Sequence, residues 1–284
     1  MTLIGCFVTP HPPIIIPEVG GAQLAEAQAT VQAMRLVRER AAALDPDAIV
    51  LLSPHAPLAA RQMGVSLASS YQGSLAYFRA PQVTVRAAGD QALGQAIIAG
   101  AKRHGVPVLA TAALEETVEL DHGSMVPLVF LLGGLRRPCR LVLLSFSMLD
   151  IGQHVRFGNA VAEALEAAAQ RVVYVASADL SHRLLPGAPV GFDQRGVQFD
   201  RLVADAFAAG DWEGLLSIDP ETTAAAGECG YRSLAVLSGV VATLGATGSS
   251  TRNRLFSYEG PFGVGYLVGE VEILEATQTP GAGR

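Results

Sequence analysis

Long apolar runs are missing from this sequence. Half of its 284 residues are hydrophobic, yet no stretch of about eighteen runs without a polar break, so a membrane-spanning helix has no support. Cysteine is scarce: Cys6, Cys139 and Cys229 are odd in number and far apart, which excludes a disulfide framework and suits a reducing cytoplasm. Charge is sparse, and lysine is almost absent. The 20 basic and 26 acidic residues leave a net charge of −6 with no basic stripe, which argues against nucleic acid as a partner. The N-terminus has neither a basic region nor an A-x-A site, and TLIGCFV at residues 2–8 reads as a strand rather than a signal peptide. No G-x-G-x-x-G follows that strand and no Walker loop is present, which removes the usual nucleotide sites. There is no internal repeat and no linker. Residues 276–284 (ATQTPGAGR from 276) read as a small polar, disordered tail, leaving 1–275 as one domain.

What is present is alternation. Strand patterns at 3–8, 48–52, 64–68, 74–78, 106–110, 140–145, 171–176, 254–258 and 263–271 interleave with helical periods at 23–44, 90–104, 123–132, 151–170, 192–209 and 231–244. This predicts an α/β fold with a mostly parallel or mixed central sheet and helices on both faces. Runs such as AIVLL and RLVLLS suit strands buried on both sides.

Three histidines fall just past the C-terminal ends of predicted strands: His11, His55 and His182. In an open α/β sheet, ligands collect at that edge. A lone loop histidine is usually a surface residue, so the repetition of the same placement carries the reading. Prolines stiffen two of these loops, with Pro12 and Pro13 after His11, and Pro54 and Pro57 around His55. His122 opens an apolar helix, where Asp121 suits a helix cap or an imidazole partner. Glu228 lies between glycines 227 and 230, just before another helix. Two histidines and a carboxylate suit Fe(II), and also Zn²⁺. His104, at a helix end, and His154, on a polar helix face, are left out of the site. A hydrolase triad of Ser181, His182 and Asp179 is disfavoured, because no G-x-S-x-G elbow exists and neighbours on one loop rarely form a triad.

Five segments together carry a resemblance: TPHPPIIIPEVG, LLSPHAP, ELDHGSMVPL, SADLSH and GECGYRS, with YEGPFGVGYLVG after them. They resemble the LigB family of class III extradiol ring-cleaving dioxygenases over nearly the whole chain. The resemblance implies an Fe(II) enzyme that opens a small catecholic diol with O₂. It implies His11, His55 and Glu228 as metal ligands, His182 as acid/base and His122 as a second active-site histidine. The opening segment also resembles the LigB-like domain grouped with Memo-type proteins, some of which carry a further domain not expected here. There a Cys-Gly pair takes the late position, matching Cys229-Gly230, which suits copper or zinc and a redox or interaction role without ring cleavage. A zinc-dependent lyase or hydrolase on the same residues is a third reading. Pro13, Tyr71, Phe78, Phe192 and Tyr258 are candidate pocket walls, and the apolar content permits a homo-oligomer.

Overall fold

The computed structural model describes residues 2–274 except 115. The expected disordered tail at 276–284 lies outside the described residues. In chain order the elements are β1 (Leu3–Thr9), α1 (Pro17–Gly20), α2 (Gln28–Leu44), β2 (Ala48–Leu52), β3 (Met63–Ser66), β4 (Ser70–Leu75), β5 (Ala80–Ala88), α3 (Gln91–Arg103), β6 (Val108–Ala112) and β7 (Thr117–Glu119). They continue with α4 (His122–Gly134), β8 (Arg140–Ser145), α5 (Ile151–Glu166), β9 (Val172–Ser177), α6 (Gln194–Ala209), α7 (Trp212–Leu216), α8 (Pro220–Ala226), α9 (Tyr231–Ala246), β10 (Ser250–Glu259) and β11 (Tyr266–Leu274).

The main sheet runs β10-β11-β1-β9-β2-β8-β3-β6 and is mixed. Its centre, β1-β9-β2-β8, is parallel, with Cys6 beside Tyr174, Val50 beside Tyr174, and Leu51 beside Leu143. Strand side chains alternate faces, and two cores follow from that. Phe7, Ile49, Leu51, Leu141, Leu143, Val173 and Val175 pack towards α2 and α4. Cys6, Val8, Val50, Leu52, Val142, Leu144 and Tyr174 pack towards α3, α5 and α9. Each fully buried Val, Leu or Ile contributes about 1.5–3 kcal/mol, so the sheet centre is the rigid platform on which the loops stand.

Two features position what lies above the sheet. Helices α5 and α9 touch backbone to backbone: a Cβ on Gly158 would sit 2.0 Å from the Val236 carbonyl oxygen, and one on Gly239 would sit 2.1 Å from that of Val155. Only glycine permits that approach. The second is Pro127 inside α4. Lacking an N–H, it leaves the carbonyl of Gly123, four residues earlier, without its helix partner.

Several expected elements shift. The helix expected from 23 begins as a 3-10 stretch (Gly21–Ala27) and turns α only at Gln28. Gly20 precedes the stretch and Gly21 opens it at φ 51°, and no side chain caps the α start. The strand expected at 74–78 lies at Ser70–Leu75, and Ala76–Phe78 is a 3-10 turn. Its partner β5 went unread because it carries Pro81. It is an edge strand of a separate β5-β4-β7 sheet, where a missing N–H is harmless. His154 is fully buried rather than on a polar face, with Nδ1 at 2.8 Å from the Asp150 carbonyl oxygen and Nε2 at 3.1 Å from that of Ser147. Among the described residues no helix is long and apolar enough to cross a membrane.

Candidate metal centre

The parallel centre of the sheet places the ends of β1, β2 and β9 side by side, and α4 starts above them. This brings His11, His55 and His122 together, with one ligand atom from each lying within 4.8 Å of the others. The Nε2 atoms of His11 and His55 are 3.1 Å apart. Ring centroids are 4.9 Å apart for His11–His55, 4.2 Å for His55–His122 and 5.7 Å for His11–His122.

The protonation pattern of His11 follows from its neighbours. Ser177 Oγ lies 2.6 Å from the Gly123 carbonyl oxygen and 2.9 Å from His11 Nδ1. The carbonyl can only accept, so the single hydroxyl proton goes there. The oxygen then accepts from His11 Nδ1–H. His11 Nε2 is left with a bare lone pair aimed at His55, which is the tautomer a metal ligand needs. The sequence origin of this relay is Pro127, which frees the Gly123 carbonyl to fix Ser177. Its signal was a proline inside an apolar helical run, and sequence reasoning passed over it.

The other two loops are tied as firmly. Asp121 caps α4, accepting from the Ser124 N–H at 2.9 Å and from the Ser124 hydroxyl at 2.8 Å. It also accepts from the Ser53 hydroxyl at 2.7 Å, and Ser53 Oγ in turn accepts the His55 N–H at 3.2 Å. One carboxylate thus anchors the loop of His55 to the helix of His122. Asp179 joins the loops after β1 and β9: its Oδ1 accepts the His11 N–H at 2.8 Å, and its Oδ2 lies 3.6 Å from His11 Nε2.

Electrostatics keep the imidazoles neutral. Burial lowers the pKa of His11 well below its ordinary value, and His55, His122 and His182 lower it further. Burial likewise lowers His55, His122 and His182, with Asp121 partly opposing this at the first two. Burial, then the negative charge of Asp200, raises Asp179 to about 7 against the His11 N–H that favours its ionised form.

His182 stands beside this group, close enough that its charge would depress both His11 and His55. Its backbone N–H donates to the Ala226 carbonyl at 3.1 Å, and the Ser181 hydroxyl donates to the same oxygen at 3.0 Å. These bonds staple the loop after β9 to residues 226–230. Sequence reasoning gave the third ligand to Glu228, and the structure does not bring it into the imidazole group. Its Oε2 accepts the Tyr231 N–H at 2.5 Å, where the exposed amides of the α9 N-terminus draw a carboxylate. The neighbouring Cys229 turns the other way, with its Sγ 3.5 Å from His11 Nε2. Burial, Asp179 and Glu228 all push its pKa up, so it is a neutral thiol. Of the expected pocket walls, Phe78 packs on His122 at 5.8 Å between centroids. Phe192 is half exposed, Tyr71 is buried in the core, and the Tyr258 hydroxyl donates to Asp200 at 2.8 Å.

The donors fit a transition metal. Two imidazole nitrogens bound at about 2.1 Å to one ion stand about 3.0 Å apart at a right angle and about 3.4 Å apart at the tetrahedral angle, and the observed separation is 3.1 Å. Neutral rings are the binding form.

The sequence profile described as the catalytic LigB subunit of aromatic ring-opening dioxygenase matches residues 5–269. Protein CA_C1420 of Clostridium acetobutylicum is 34% identical over 277 residues, covering 96% of this chain and 58% of that protein. The chain therefore spans under two thirds of that relative's length. The crystal structure of uncharacterized protein JW3007 from Escherichia coli K12 superposes with a TM-score of 0.63 at 18% identity, over 94% of this chain and 99% of that one, a likeness of fold.

Proposed function

This chain belongs to the LigB family of aromatic ring-opening dioxygenase catalytic subunits, and on that premise we propose that it is an Fe(II)-dependent extradiol dioxygenase acting on a small catecholic diol. The observation that carries this reading is the convergence of three neutral imidazoles, His11, His55 and His122, with the His11 lone pair fixed inward by Ser177. These residues would hold the metal. When bound, the metal would supply a Lewis-acidic centre that joins diol and O₂ and passes electrons between them.

The protein's own contributions are distinct. His182, outside the three-residue group and neutral through burial, takes a proton from one substrate hydroxyl and returns it as the ring opens. Phe78, against His122, offers an aromatic wall to a flat ring. Asp179 holds the His11 loop in place through the backbone N–H. The test is to purify the protein without oxygen, reconstitute with Fe(II), and add a panel of catechols with O₂. The expected result is oxygen uptake matched to a yellow ring-fission product, lost in His55→Ala together with the metal. An iron-loaded protein that consumes no oxygen with any diol overturns the reading.

A second reading has its own support: the Cys229 thiol faces the same His11 nitrogen. A two-histidine, one-thiolate set suits zinc or copper and a redox or binding role. Cys229→Ser separates the two. If it abolishes metal binding while His122→Ala does not, the thiolate set is the site.

A further inference from the structure

Glu228 lines a second cavity, of about 500 Å³, whose lining contains none of the four site histidines. The cavity lies between α7, α8 and the start of α9, with walls that include Ile151, Leu216, Ile218 and Tyr231. Its size falls in the range of small-molecule sites. Two opposite charges share it, those of Glu228 and Arg232.

Arg232 is the unusual member. Its Nε is buried and has no hydrogen-bond partner. Its guanidinium rests on the face of Phe146, with Cζ 5.8 Å from the ring centroid. A buried guanidinium donor is almost always satisfied, because losing water without a partner costs free energy. Arg232 acts on Glu228 through charge alone, whereas the hydrogen bonds to that carboxylate come from the backbone of Tyr231 and Gly230. A carboxylate accepts about four hydrogen bonds, so Glu228 keeps capacity for another donor. Thus a cation wanting an anion and an anion able to take a donor sit four residues apart in one mainly apolar hollow, unbonded to each other.

We propose that this cavity is a binding site for a free α-amino acid with an apolar side chain, such as leucine. The ligand carboxylate pairs with the Arg232 guanidinium where it lines the cavity, the ammonium donates to Glu228, and the side chain fills the space beside Leu216 and Ile218. A ligand with both charges satisfies both residues at once, whereas a simple fatty acid or amine leaves one uncompensated. The site does not depend on the dioxygenase reading. It does touch the metal centre through the chain, since Glu228 adjoins Cys229, and Ala226 holds the loop of Ser181 and His182.

The test is calorimetric titration of the full chain, as purified, with leucine, leucinamide and 4-methylpentanoate, repeated on Arg232→Met, Ile218→Trp and His55→Ala. Circular dichroism confirms folding. Leucine should bind saturably, and each single-charge analogue at least about tenfold more weakly, in line with the loss of one charge-assisted hydrogen bond. Arg232→Met and Ile218→Trp should each weaken leucine by at least about tenfold, and His55→Ala should leave it unchanged. Ile218→Trp keeps the proposal testable if the arginine variant does not fold. No saturable binding, equal binding of 4-methylpentanoate, or binding lost in His55→Ala but kept in Ile218→Trp each overturns it, the last by assigning the amino acid to the metal.

Discussion

Replacing Ser177 with alanine tests the relay from Pro127 to the metal centre. The change removes one oxygen and orphans two buried groups. The Gly123 carbonyl loses the hydroxyl donor 2.6 Å away, with no helix N–H to replace it because residue 127 is proline. His11 Nδ1–H loses its acceptor at 2.9 Å. An orphaned buried group costs about 1–3 kcal/mol, so with two of them the variant should lose roughly 2–6 kcal/mol of stability. With Nδ1–H unanchored, the Nε2–H tautomer competes and the lone pair leaves the site. Loss of such an outer partner typically lowers metal affinity about 10–100-fold. Chelator-competition titration with Zn²⁺ measures the affinity, urea unfolding measures the stability, and ¹⁵N shifts of His11 report the tautomer. Thr9→Val is the control. Thr9 pairs with Ser177 across β1 and β9, and its hydroxyl is buried without a partner, so its removal should be neutral or stabilising. If Ser177→Ala keeps metal affinity within about threefold of wild type, or both variants behave alike, the tautomer reasoning is refuted.

Other perturbations follow from the same structure. Gly158→Ala or Gly239→Ala should each cost about 1–3 kcal/mol by forcing α5 and α9 apart. The double variant should cost less than their sum, because both act at one crossing. Equal urea midpoints for wild type and variants would exclude the tight crossing. Asp121→Ala should lose about 1–3 kcal/mol and weaken the metal, since cap and Ser53 anchor go together, while Asp121→Asn should retain most of both. Chelator titration of the two variants decides this. Asp200 makes stability pH-dependent: burial raises its folded pKa to about 7. The unfolded carboxyl ionises near pH 4 while the folded one stays protonated, so stability falls as pH rises from about 4 to 7, by up to about 4 kcal/mol, and levels off above. Asp179, also raised to about 7, adds a slope of the same sign, so Asp200→Asn should make the slope shallower without abolishing it, and an unchanged slope would remove Asp200 as a contributor.

Much of this protein was open to reading along the chain. The buried strands at 48–52 and 140–145, the long helices, and histidines past strand ends follow from local rules: residue periodicity and the chemistry of proline loops. Strand β5 escaped because its proline argues against a strand until one knows that it lies at an edge. His154 escaped because its buried partners are backbone carbonyls, which no side-chain pattern marks.

The sequence by itself determined the α/β class, the layered core and the set of histidines, because alternation, period and spacing are properties of neighbours along a chain. Only the tertiary structure decided which donors meet. It set His122 among the imidazoles, turned Cys229 towards His11, and fixed the His11 proton through Ser177 from the adjacent strand. The physical reason is that bonding between residues more than a hundred positions apart depends on strand order and loop direction, and adjacent residues such as Glu228 and Cys229 face opposite ways once a helix begins between two such constraints.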